Sequence, residues 1–144
     1  VVPDSRFMTL NDAFTEKSLF LTYYRLKLFF WEDILVKMTI QNTLRTLGIT
    51  KNYDGYRLTL SAVQLALEDE RRLRFVIREI YRPVSVLCGC PLAHVERNIR
   101  TVIFRAWKVN RPFLSTIAGF PLEAPPAVSH FIEMLANFHA DDSA

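Results

Sequence analysis

From Val84 to Lys108 the chain reads VSVLCGCPLAHVERNIRTVIFRAWK, and this stretch decides the fold. Val84 to Leu87 is a short apolar run that predicts a short helix. Gly89-Cys90-Pro91 makes a tight break, since glycine ends helices readily and proline cannot continue them. From Leu92 to Lys108 the pattern is helical again. Val95, Ile99, Val102, Ile103 and Ala106 fall at i, i+4, i+7, i+8 and i+11, and Trp107 extends that apolar stripe. The other face carries His94, Arg97, Asn98, Arg100, Thr101, Arg105 and Lys108. A short helix, a glycine turn and a longer amphipathic helix form the outline of a helix-turn-helix. In that motif residues near the start of the second helix meet base edges, and those further along meet phosphate. Arg97 and Arg100 are therefore the expected base readers. His94, Asn98 and Thr101 are neighbours able to assist, with Arg105 and Lys108 nearer the backbone.

Charge points the same way. The net charge is only +3, but Arg71 to Arg111 holds ten basic residues against two acids, Glu79 and Glu96. Nine of those ten are arginine, whose planar fork suits bidentate pairing with phosphate or guanine edges. Such a one-sided basic stretch is the footprint of nucleic-acid binding, although a solvated helix face paired with acids elsewhere has the same composition.

Outward from this centre, helical periodicity dominates and no strict alternation demands a sheet. In the first forty residues Leu10, Phe14, Leu21, Tyr24, Leu28, Trp31, Leu35 and Met38 fall on a heptad-like stripe, interrupted by Lys17 and widened by Phe20 and Phe30. A helix so apolar must pack on its own domain, on a second copy or on a partner. Phe20, Tyr24, Leu28 and Trp31, together with Phe104, are the candidate partner-binding residues. Next comes a helix from Ile34 to Leu47 closed by Gly48, a polar turn from Thr50 to Gly55, and a helix from Leu58 to Leu67. Glu68-Asp69-Glu70 opens a further helix that Arg82-Pro83 punctuates near Tyr81. The Pro112 region and Gly119 to Pro126 read as loops around a short helical piece. The last helix spans Val128 to Phe138.

The stretch VERNIRTVIFRAW, Val95 to Trp107, resembles the recognition helix of the C-terminal DNA-binding domain of the sporulation master response regulator of endospore-forming Firmicutes, which reads approximately VERAIRHAIEVAW. The resemblance extends in register over roughly Ile40 to Met134. Leu47-Gly48-Ile49 is similar to that family's IGV, Gly55-Tyr56 to its loop GY, Ala118-Gly119-Phe120 to FGY, and Ser129-His130-Phe131-Ile132 to its SEFI segment. The resemblance implies an all-helical, six-helix domain that binds promoter DNA as paired copies in the cytoplasm. It also adds Glu96, which the family shares, to the DNA-binding residues. Departures concentrate at basic positions. Ala93-His94 stands where the family has Ser-Arg, Asn52-Tyr53-Asp54-Gly55 replaces its basic HIKG loop, Glu123-Ala124-Pro125 lacks its lysine, Val128 replaces an asparagine and Thr101 a histidine. Phe104 replaces a glutamate beside the polar face, and is either tucked under a neighbouring helix or offered to a partner. No receiver domain is expected within these residues.

Other chemistries are poorly supplied. Four glycines fit neither a turn-rich β-sandwich nor a phosphate loop. Cys88 and Cys90 are too few for a secreted disulfide framework and fit a reducing compartment. With His94 they make only three metal ligands where structural zinc takes four, so neither a metal nor a cofactor is expected. The carboxylate pairs read as a helix start, a solvated edge and a tail, and no enzyme emerges. The most apolar stretch, Ser18 to Trp31, is interrupted by Arg25 and Lys27, so no membrane span is expected.

These readings combine into an all-α protein: a six-helix-type bundle with a helix-turn-helix at 34–138, an extra aromatic-rich N-terminal helix at 1–33, and an acidic tail at 139–144. The expected partner is double-stranded DNA, bound by paired copies or a homodimer of a cytoplasmic transcriptional regulator. The competing expectation keeps the fold but loses DNA affinity, leaving an interaction module that modulates a related regulator protein.

Overall fold

The computed structural model describes Thr22 and residues 39–142, all helix, turn or loop, with no strand among the described residues. The aromatic stripe ending at Met38, with Phe20, Tyr24, Leu28 and Trp31, lies outside them. Residues 39–46 are helical (α1) and bury Ile40 and Leu44. Two backbone bonds, Gly48 N–H to Arg45 O at 2.9 Å and Ile49 N–H to Leu44 O at 2.8 Å, close the helix where the sequence places its end. Buried Leu44 and Ile49 supply the apolar contact that accompanies this kind of cap.

Helix α2, Asp54–Glu68, begins four residues before the expected Leu58. The polar segment expected as a turn at 50–55 is one through Tyr53, whose N–H bonds Thr50 O at 3.1 Å, but Asp54 and Gly55 already belong to the helix, where a tertiary constraint prevails. Gly55 is buried, and a Cβ on it would sit 2.4 Å from the Asn98 carbonyl oxygen and 2.5 Å from a Val102 methyl. Only glycine lets the first turn of α2 lie against the backbone of the long helix.

A 3₁₀ stretch, Glu70–Phe75, follows, started by Asp69, whose carboxylate accepts from Arg71 N–H at 3.0 Å. A π-turn, Ile77–Tyr81, then runs without a break into α3, Arg82–Cys88. The expected interruption at Arg82-Pro83 does not occur, and the reason is local. Pro83 has no N–H for the Glu79 carbonyl and its ring crowds that oxygen. The wider turn makes room, Arg82 N–H bonds Ile77 O, and the Arg72 guanidinium donates to Glu79 O at 3.0 Å. Arg72 is thereby a structural residue.

Gly89, at φ +64°, ends α3 in the left-handed region, with Cys90 N–H bonded to Ser85 O at 3.1 Å. Helix α4, Leu92–Val109, buries Val95, Ile99, Val102, Ile103 and Ala106, the stripe read from the sequence. The region around Pro112 is helix rather than loop. In α5, Arg111–Ala118, Pro112 sits in the first turn, where its missing donor costs nothing, and the Asn110 side chain caps Phe113 N–H at 3.2 Å. Asn110 also donates to Thr46 O at 3.3 Å, tying the α4–α5 corner to the end of α1. Helix α6, Val128–Asp142, continues past the expected Phe138 because His139 is buried and holds the next turn in the core. The centre of the fold is α2, packed on α4 and α6, with Ala62, Val63, Ile99, Phe131, Ile132 and Leu135 fully enclosed.

Gly55→Ala is expected to destabilise the chain by about 1–3 kcal/mol or more, the usual range for overpacking. Thermal unfolding followed by circular dichroism checks this, at roughly 4–8 °C of Tm per kcal/mol for a domain of this size. An unchanged Tm contradicts the close approach of α2 to α4.

Candidate nucleic-acid interface

Seating α4 on the core by one stripe turns the opposite stripe outward. Arg97, Thr101, Phe104 and Lys108, spaced i, i+4, i+7 and i+11, are all exposed. On the flank nearer α2, His94 and Asn98 are half-buried and Arg105 is exposed with its guanidinium 5.9 Å from the Tyr53 ring centre. On the other flank Glu96 is half-buried and Arg100 exposed, and the two form an ion pair one turn apart. The eight sequence-predicted DNA-binding positions thus share one helix, with Arg97, Arg100, Thr101, Arg105 and Lys108 open to solvent and His94, Glu96 and Asn98 at its edges. Phe104 is not tucked away; it stands in the middle of the outward stripe.

The arginines differ in what already holds them. Arg71 pairs with Asp69 at 3.0 Å and Arg78 with Glu79 at 3.1 Å. Arg111 lies over the Trp107 ring at 4.4 Å and donates to Trp107 O at 3.3 Å. Arg74, Arg82, Arg97 and Lys108 form no ion pair among the described residues. Arg100 is held only loosely, because exposed pairs one helical turn apart contribute about 0.3–0.5 kcal/mol. A phosphate or a guanine edge competes easily with such a partner.

Asp54 is exposed in the first turn of α2, beside the Gly55 contact with α4, and Glu123 is exposed in the loop before α6. Cys88 is half-buried with its Sγ 3.7 Å from Ser61 Oγ on α2. Among the described residues no group of three or more His, Cys, Asp or Glu side chains is placed to hold a metal, so Cys88, Cys90 and His94 do not assemble into one. No described helix is long and apolar enough to cross a membrane.

Three residues near this face escaped the sequence reading. Tyr53 carries the Arg105 guanidinium, and Phe75 and Ile77 are exposed in a concavity that Arg100 and Phe104 of α4 also line. The available signal was their position: two large apolar residues interleaved with Arg74 and Arg78, off the stripe that reaches the core.

Residues 40–138 match the family described as the C terminal of the sporulation initiation factor Spo0A, and the chain belongs to that family. The family is a DNA-binding domain of a sporulation transcription factor, regulatory rather than catalytic.

Tyr81, beneath the Glu96–Arg100 pair, has its pKa pushed from 10.0 up to about 12, chiefly by burial and then by Glu96, with Arg100 opposing. A folded pKa above the unfolded one means that this tyrosine's contribution to stability is complete below the unfolded value and is lost as pH rises through the folded value. Phenolate absorbance is therefore expected to include a late step from Tyr81, alongside Tyr56, whose pKa burial also raises. Tyr81→Phe should abolish that step and flatten the alkaline fall in stability.

Proposed function

We propose, from membership of this family and the outward stripe of α4, that the chain is a sequence-specific DNA-binding transcriptional regulator that reads the major groove with Leu92–Val109. The observation that carries this is Arg97: exposed, near the start of the second helix of the motif, and without an ion pair among the described residues. A guanidinium so placed can donate both its bonds to guanine O6 and N7. Arg100 leaves Glu96 to reach a second base, and the freed Glu96 carboxylate can accept from a cytosine amino group. His94, Asn98 and Thr101 fill the space between these contacts. Arg105 and Lys108, further along the helix, hold phosphates. Their small number, and the carboxylate of Asp54 close by, favour an interface that relies on its base contacts more than on bulk charge. Pairing of two copies on DNA, a cytoplasmic location and the absence of catalysis belong to the same proposal.

Duplexes selected by the intact chain from a randomised library, then measured by fluorescence anisotropy across a salt series, test it. Affinity is expected to fall steeply with salt. Arg97→Ala should cost about 1–3 kcal/mol on the selected sequence and relax preference at one base pair, whereas Lys108→Ala should weaken all sequences alike and lower the salt slope by about 1. Binding no better than the ~10⁻⁴ M edge of non-specific affinity contradicts the proposal.

A further inference from the structure

Beside the recognition face lies an open groove of about 1010 Å³, bounded by the Glu70–Tyr81 segment, α4 and the residues that lead into α6. Its floor is buried Tyr81, Ile103 and Val128, and its walls are Phe75, Ile77 and Phe104, which are 56%, 58% and 51% exposed. Three large apolar side chains that line one concavity and face water are unusual for a finished surface. The groove is also at or beyond the upper end for small-molecule pockets, about 300–1,000 Å³.

Charge narrows the occupant. Arg74, Arg78 and Arg100 line the groove with one carboxylate, Glu96, which is bonded to Arg100; Arg78 pairs at 3.1 Å with Glu79 outside the lining, and Arg74 forms no ion pair among the described residues. Arg78 lies 4.7 Å over the Phe75 ring, so a guanidinium borders the apolar wall directly. An occupant must therefore offer a row of apolar groups flanked by anions. A DNA backbone satisfies the arginines but leaves Phe75 and Ile77 facing phosphate. Among the described residues of a second copy, no helix combines exposed large apolar residues with several carboxylates. Val86 and Leu87 on α3 have no acid beside them, and α4 has only Glu96. We propose that this groove docks an acidic amphipathic helix of another protein, with apolar side chains at i, i+3 or i+4, and i+7 between Phe75, Ile77 and Phe104. Because Arg100 lines the groove and also belongs to the proposed base-reading set, docking withdraws it from DNA. That consequence, unlike the docking itself, rests on the proposed function.

The test uses the full chain and a labelled synthetic helical peptide with leucines at those spacings and glutamates flanking them, compared with the same peptide carrying lysine for glutamate. Anisotropy is expected to show the acidic peptide binding at least tenfold more tightly than the basic one. Phe104→Ser and, separately, Arg74→Glu should each weaken it tenfold or more, with unchanged melting temperature showing that the fold is kept. Both residues are exposed, so neither change disturbs the core. In a separate arm the acidic peptide should compete with a selected duplex. Failure of any duplex to bind removes the competition but leaves the peptide measurements decisive. Equal binding of both peptides, or no effect of Phe104→Ser, overturns the proposal. So does sedimentation showing that Phe104→Ser splits a dimer, since the occupant is then a second copy.

Discussion

The contact between Gly55 and the backbone of α4 is the constraint on which the rest of the arrangement depends. A helix normally keeps its neighbour at side-chain distance, about 8–10 Å between axes. Here the absence of one Cβ lets the first turn of α2 rest on Asn98 and Val102. That contact fixes the rotation of α4 about its own axis, so that Val95, Ile99, Val102 and Ala106 face inward and Arg97, Thr101, Phe104 and Lys108 face out. The same α2 packs on α6 from its other side, so α4 is mounted on the centre of the core. A surface held this rigidly needs little reordering to meet a partner, which favours tight and selective contact.

The basic stretch divides into groups that its composition does not separate. Arg72 replaces the donor that Pro83 lacks and closes the π-turn. Arg71 holds the Asp69 turn, and Arg111 caps the end of α4 against Trp107. Subtracting these leaves Arg97, Arg100, Arg105 and Lys108 on α4 and Arg74, Arg78 and Arg82 on the neighbouring segment, all exposed. Arg100 belongs to both the α4 face and the groove, and is the point at which DNA and a protein partner would meet.

Helix α4 and the family were legible in the residues because both rest on local information. The α4 stripe is a periodicity, and VERNIRTVIFRAW keeps its register with the family over a whole helix. What went unread depends on partners distant in sequence. The start of α2 at Asp54 follows from packing against Asn98, forty-four positions from it. The continuity through Pro83 follows from Arg72, and the helical Pro112 from a cap by Asn110, which is also pinned to Thr46. In both proline cases the punctuation rule was right about the missing donor and wrong about the consequence. The groove was invisible because Phe75 and Ile77 read as ordinary apolar residues, whereas the junction of the 3₁₀ stretch and the π-turn leaves both exposed.

The most direct measurement is a titration of the isotopically labelled full chain with a selected duplex, followed through the arginine side-chain N–H and the backbone amide resonances. Reading of DNA by the outer stripe of α4 predicts that Arg97 and Arg100 shift first and most, with Thr101 beside them, while Arg72 stays unmoved. Saturating duplex that leaves Arg97 and Arg100 unshifted, or that moves only resonances away from α4, contradicts it.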